Sequence, residues 1–186
     1  GFSMVLIYHI FADTGVESEI LSQYGNVVRV GLDPTKNSYD TAIKADAYHL
    51  PIQKKADLVF LQPECKKWSP LGKGNGPDQI VKAREIGKQF GKDYIIENVP
   101  KNDKLREDIK LYGTNFGLPL SYRRIFETSF DLDSRPSFEQ ISGRIISIRE
   151  SHNRAKEWWH FTKGYDTERP TKELEVKEGI PAYYVQ

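Results

Sequence analysis

Cys65 is the only cysteine in the chain, and it follows an apolar run, Asp57-Leu58-Val59-Phe60-Leu61, within the segment Gln62-Pro63-Glu64-Cys65-Lys66-Lys67-Trp68-Ser69. Glu97 lies in the next run of this kind, Tyr94-Ile95-Ile96-Glu97-Asn98-Val99. If both runs are strands, a thiol and a carboxyl meet at adjacent strand ends. That pairing suits covalent chemistry on a pyrimidine ring, in which a thiolate adds to a ring carbon while an acid protonates or hydrogen-bonds a ring nitrogen. A lone cysteine is otherwise core filler, since it makes neither an internal disulfide nor a cysteine-rich zinc site. The four histidines, His9, His49, His152 and His160, show no ligand spacing, so no metal is expected.

The elements that must position these groups read as strands alternating with helices. Val5 to Phe11 is a short apolar run rich in β-branched and aromatic residues, and Asp13-Thr14-Gly15 ends it in a turn. Val16, Ile20 and Leu21 recur at helical spacing over Val16 to Tyr24, before Gly25-Asn26 breaks the helix. Val27 to Leu32 reads as a second strand ending at Asp33-Pro34, and Asp57 to Leu61 as a third. Pro63 to Pro77 is long for a connector and is a candidate functional loop. Asp78 to Phe90 reads as a helix closed by Gly91, ahead of the strand Tyr94 to Val99. The alternation implies an α/β fold with a mostly parallel sheet and helices on both faces, whose ligands sit at the carboxyl ends of the strands. Phe11 to Gly15, Asp33, Asp46, Pro63 to Ser69 and Glu97 to Pro100 are thereby nominated together. Beyond Lys110 the pattern is less regular, with strands expected at Arg124 to Thr128 and Arg144 to Ile148 and a loop or flap from Ser151 to Thr171.

The segment Asp57 to Ser69 resembles the Pro-Pro-Cys nucleophile loop of the DNA (cytosine-5) methyltransferases, and Glu97-Asn98-Val99 is identical to that family's Glu-Asn-Val motif. Tyr112 to Leu118 and Tyr122 to Thr128 resemble the Gly-x-x-Phe-Gly-Leu and Arg-rich segments of the short forms that viruses and mobile elements often carry. Gly179 to Tyr184 resembles the closing segment of the same group. The resemblance implies a Rossmann-like class I fold that uses S-adenosyl-L-methionine to methylate carbon 5 of cytosine in DNA. By it, Cys65 is the nucleophile, Glu97 binds ring nitrogen 3, and Arg123 or Arg124 holds the base. The cofactor would lie along Phe11, Ala12, Asp13, Thr14, Gly15, Asp33, Asp46 and Pro63. Lys66, Trp68, Ser69 and Asn98 would meet the substrate, with Trp158 and Trp159 as candidate stacking platforms. Asp13 and Asp46 are alternatively simple turn caps, and the Trp pair simple packing.

Three departures from the family pattern bear on activity. Glu64 replaces the second Pro, placing a carboxylate beside the thiol, while Lys66 and Lys67 act in the opposite direction. Asp13 replaces the first Gly of the cofactor loop, where it either repels the cofactor's carboxylate or pairs with its amino group. The acid that binds the ribose hydroxyls aligns with Gly31, and Asp33 is the candidate substitute. These changes leave two rival readings open: a degenerate member that binds nucleic acid or a partner methyltransferase subunit, or an enzyme acting on a free pyrimidine nucleotide or with an altered cofactor.

With 186 residues, 38% hydrophobic and 28% charged, the chain is expected to form one globular domain over its whole length. The region 131–171 is then a variable flap or a minimal substrate reader, in place of a separate target-recognition domain. The net charge of +1 argues against strong overall attraction to nucleic acid and leaves room for a local basic stripe that meets duplex or single-stranded DNA. No apolar run approaches the roughly 18 residues of a membrane span, so no membrane partner and a cytoplasmic location are expected, with the native start at Met4 and Gly1 to Ser3 a leftover ahead of it.

Overall fold

The computed structural model describes residues 4–68, 74–116 and 123–131. Its elements are β1 (Leu6–Ile10), α1 (Val16–Leu21), β2 (Asn26–Gly31), β3 (Thr41–Lys44), β4 (Ala56–Leu61), α2 (Ile80–Phe90), β5 (Gly91–Asn98), β6 (Ile109–Tyr112) and β7 (Arg123–Thr128), with short 3-10 turns at Ala47–His49 and Gly113–Phe116. Seven strands form one sheet in the order β3-β2-β1-β4-β5-β7-β6. The pairs from β3 through β5 are parallel, and β7 runs antiparallel to β5 with Glu97 opposite Phe126. The result is the mostly parallel, Rossmann-like sheet expected from the sequence. From the central pair β1 and β4 the chain winds outward in opposite directions, which creates the switch point where such sheets bind ligands.

The period-2 alternation of the central strands sorts their side chains onto two faces. Tyr8, Ile10, Val30, Val59, Leu61, Tyr94 and Ile96 pack with Ile80, Ala83 and Ile86 of α2 in one apolar cluster. The other face carries His9, Arg29 and Phe60, with His9 bonded to Ser18 of α1. Every residue of β1 from Ile7 to Ile10 is buried, as a strand covered on both sides must be. Gly87 of α2 sits against the Tyr94 ring, and a Cβ there would come within 2.7 Å of Tyr94 Cγ. The helix therefore lies closer to β5 than any larger residue would allow.

Contacts divide the chain into two compact units, residues 1–110 with 124–134 and residues 111–123 with 135–186. The first holds the site. Of the second, the described residues are the end of β6, the turn Gly113–Phe116, where Asn115 Oδ1 accepts from the Tyr112 backbone N–H at 2.6 Å, and the exposed Arg123. Ser69, Trp158, Trp159, the strand expected at Arg144 to Ile148 and the expected flap lie outside the described residues.

Several boundaries differ from the sequence reading. The helix expected to reach Tyr24 ends at Leu21, because Ser22 Oγ donates to the Glu19 carbonyl at 2.7 Å and caps the last turn early. The strand expected to reach Leu32 stops at Gly31, so Asp33 lies in a bend beyond it. The helix expected from Asp78 begins at Ile80. Gly91 ends α2 and begins β5 with no loop between, and β5 closes at Asn98 rather than Val99. Thr41–Lys44, not anticipated as a strand, pairs with β2 at the sheet edge.

Arg29 anchors the switch-point loops. Its side chain and that of Asp40 are fully shielded, with Nε 2.7 Å from Asp40 Oδ2. The guanidinium also donates to the carbonyls of Ala12, Asp13 and Thr35. Gly15 has φ 70 and lies so close that a Cβ would come within 2.6 Å of Arg29 Cδ. Breaking a buried pair leaves an uncompensated charge. Arg29→Met is expected to lower unfolding free energy by about 3–5 kcal/mol in urea titration at neutral pH, and a loss below about 1 kcal/mol, typical of an exposed pair, would show that the pair does not organise the loops.

Candidate active site

The loop after β1 turns sharply: Phe11 carries φ 62, rare for a residue with a Cβ. Ala12 is buried, its backbone N–H donating to the Val30 carbonyl at 3.0 Å. The Asp13 and Thr14 carbonyls accept from Thr35, and Asn37 also donates to the Thr14 carbonyl. Asp13 Oδ1 accepts the Asp33 backbone N–H at 2.9 Å. Asp33 itself is exposed, with its carboxylate 3.1 Å from Lys44 Nζ. Asp46 opens the Ala47–His49 turn, and hydrogen bonds from the Tyr48 backbone N–H and the His49 ring hold its carboxyl below the usual value.

The loop after β4 is held at three points. Gln62 N–H donates to the Ile10 carbonyl at 3.1 Å, Asn98 Nδ2 donates to the Pro63 carbonyl at 2.9 Å, and Glu64 N–H donates to Gln79 Oε1 at 2.9 Å. Asn98, expected at the substrate, is 2% exposed; its amide hooks the Cys65 loop onto the end of β5. The half-buried Cys65 follows as a free thiol, with its carbonyl accepting from the Trp68 N–H. Glu64 Oε1 lies 2.6 Å from Lys66 Nζ, so the thiol has an ion pair beside it rather than a lone carboxylate. Glu64, and secondarily Cys65, raise the Lys66 pKa. Lys67 Nζ sits 4.9 Å over the Trp68 ring, and the buried Trp68 Nε1 has no hydrogen-bond partner among the described residues.

Glu97 faces the α1 side of the sheet, at the strand end beside the Cys65 loop. Arg124 Nε lies 2.7 Å from Glu97 Oε1, with both side chains mostly shielded. The structure thus distinguishes the two candidate arginines: Arg124 pairs with Glu97, whereas Arg123 is exposed. Strand β7 is held in place by a further buried pair. Arg84 of α2 grips Glu127 with two bonds of 2.6 and 2.7 Å. Burial pushes the Glu127 carboxyl up, but the Arg84 guanidinium and the Arg106 backbone N–H hold it below the ordinary value.

Behind Glu97 runs a polar chain that sequence reading missed. Gln62 Nε2 lies 3.4 Å from Glu97 Oε2 and 2.8 Å from Glu17 Oε1, while Gln62 Oε1 is 2.6 Å from His9 Nε2. His9 Nδ1 is 2.7 Å from Ser18 Oγ. Burial lowers the His9 pKa, against the opposing pull of Glu17, which favours the neutral ring; a proton on Nε2 would meet the Gln62 carbonyl oxygen. The available signal was a histidine and an arginine inside strands otherwise built of apolar residues. Among the described residues no cluster of His, Cys, Asp or Glu is arranged to hold a metal, and no helix is long and apolar enough to cross a membrane.

No protein-family model matches the chain, and no curated protein matches it. Among solved structures it is similar to the Dnmt2 methyltransferase of S. pombe, at 14% identity and TM-score 0.45 over 80% of this chain and 54% of that one. It is also similar to the glycopeptide N-methyltransferase MtfA complexed with S-adenosyl-L-homocysteine, at 12% identity and TM-score 0.38 over 71% of this chain and 59% of that one. The chain spans roughly half the length of the structures it resembles. At such scores the functional argument rests on the site itself.

The Asn98 hook gives a direct test of how the site is built. Asn98→Ala leaves the Pro63 carbonyl without its buried donor, and is expected to cost about 1–3 kcal/mol in chemical denaturation. The same variant should speed Cys65 alkylation by iodoacetamide under native conditions. An unchanged alkylation rate would show that the loop is held without Asn98.

Proposed function

We propose that the chain transfers a methyl group from S-adenosyl-L-methionine to carbon 5 of a cytosine, with DNA as the acceptor. The observation that carries this reading is the Arg124–Glu97 ion pair of 2.7 Å at the end of β5, next to the Cys65 loop that Asn98 ties to the same strand end. A carboxyl backed by a guanidinium suits a base edge that presents a ring nitrogen beside an exocyclic group. The neighbouring thiol suits addition to that base's ring.

In this mechanism the Cys65 thiolate adds to carbon 6 of the cytosine while a carboxyl proton of Glu97, which Arg124 and Gln62 orient, passes to nitrogen 3 and neutralises the charge that develops there; that proton returns to Glu97 when the ring is restored. Ring electron density shifts to carbon 5. S-adenosyl-L-methionine, when bound, would supply an electrophilic methyl group to that carbon, with the neutral thioether as the leaving group. Loss of the proton from carbon 5 to a base then restores the ring double bond and expels the Cys65 thiolate. A duplex acceptor must have the base turned out of the stack before Cys65 can reach it.

The switch-point residues fit such a cofactor. Asp13 and Glu17 put carboxylates at the carboxyl end of β1 and the start of α1, a setting that repels a di- or triphosphate and suits a ligand with sulfonium and amino groups. Phe11 and Gly15, with φ of 62 and 70, shape the loop for close backbone approach. The Glu64–Lys66 pair relieves the electrostatic objection to Cys65 as nucleophile.

The test is incorporation of a radiolabelled methyl group into cytosine-containing duplex DNA, single-stranded DNA or free dCMP. The expected outcome is labelled 5-methylcytosine in DNA, and loss of at least about a thousandfold in rate for Cys65→Ala. Label that appears only in dCMP would move the acceptor to a free nucleotide. Label in protein or in other base positions, or undiminished transfer by Cys65→Ala, would overturn the reading.

A further inference from the structure

At the carboxyl end of β2 the chain carries Gly31, so that strand offers no side chain to a ligand at its own terminus. The space is nonetheless filled. A Cβ built on Gly31 would fall on Asp13 Oδ1 and lie 2.9 Å from the Ala12 carbonyl oxygen. The Asp13 carboxylate therefore leans out of the β1 loop across the end of β2, where the Asp33 backbone N–H holds Oδ1 at 2.9 Å. Asp13 is exposed, so the carboxylate is within reach of solvent and ligand. Asp33, the other acid nearby, points instead to Lys44 and is almost fully in solvent, with its side chain 88% exposed.

Open α/β sheets bind nucleosides at the strand ends beside the switch point, and an acid at the end of the strand next to the first one receives the ribose hydroxyls. We propose that Asp13 performs this task here, taking the ribose hydroxyls of the adenosyl group through the space that Gly31 leaves open. The proposal rests on the S-adenosyl-L-methionine reading above. It makes the acid at position 13 and the glycine at position 31 a single compensating exchange: the carboxylate reaches the same place from a different strand. The backbone N–H of Asp33 fixes its orientation, so the carboxylate is ordered before the ligand arrives, and its remaining acceptor capacity suits charge-assisted O–H bonds from two vicinal hydroxyls. The exchange also works only as a pair. A side chain added at position 31 collides with Asp13 and with the Ala12 carbonyl, and loss of Asp13 leaves neither position with an acid.

Isothermal titration with S-adenosyl-L-homocysteine and with its 2′-deoxyribose analogue tests this without any turnover. The parent should favour the ribose form by about tenfold or more. Asp13→Gly should lose about 10- to 100-fold in affinity for the ribose form and lose the preference, and Gly31→Asp alone should also weaken binding. Asp13→Asn keeps an oxygen for the Asp33 N–H and so preserves the loop; it should show the parent's thermal unfolding with a reduced preference. Asp13→Gly or Asp13→Asn binding with the preference intact would overturn the ribose assignment alone. A parent that binds neither ligand would overturn the cofactor reading and this proposal with it.

Discussion

Burying a guanidinium is costly, and at Arg29 the cost is offset only because every direction its donors point meets an acceptor. Asp40 neutralises it, and the carbonyls of Ala12, Asp13 and Thr35 close around it. Because an unpaired buried charge is so unfavourable, these three carbonyls are not free to move independently. One strand residue thereby fixes the loop after β1 and the segment after β2 at the same time. Gly15 follows from this, since any side chain there would enter the space of the guanidinium. The position of Asp13 over Gly31 follows as well.

From that anchored loop the order passes to the end of β5. Glu17 and Ser18 begin the helix that the loop introduces, and they hold Gln62 and His9. Gln62 in turn reaches Glu97, which Arg124 completes. The apolar cluster between α2 and the sheet supplies the bulk of the packing, and the Arg84–Glu127 pair sets the strand that presents Arg124. The start of α1 and the end of β5 are thus parts of one hydrogen-bonded structure, with Gln62 as the link between them. The Gln62 amide gives Glu97 a second polar neighbour beside Arg124.

Much of this was legible in the sequence. Short β-branched runs between turn signals marked β1, β2, β4, β5 and β7, and the strand-end rule grouped the loops of Asp13, Cys65 and Glu97. Strand Thr41–Lys44 escaped because four half-exposed residues carry too little pattern. Asp33 was expected to substitute for the acid missing at Gly31, since two residues along a strand restore the same face; the strand ends at Gly31, and that periodicity lapses. The polar chain through His9 and Gln62 was illegible for a different reason. Sequence spacing shows which face a residue takes, but not that a buried His9 on one strand and a half-buried Gln62 just past the end of its neighbour satisfy each other, which is a property of register.

The proposed chemistry has Cys65 attack the base that Glu97 and Arg124 hold. Its most direct test is peptide mapping by mass spectrometry after incubation with S-adenosyl-L-methionine and an oligonucleotide containing 5-fluorocytosine, which arrests the reaction because fluorine cannot leave carbon 5 as a proton does. A covalent nucleotide adduct is expected on the peptide containing Cys65, formed slowly or not at all by Glu97→Gln. An adduct on another residue, or none from a protein that binds both ligands, would contradict it.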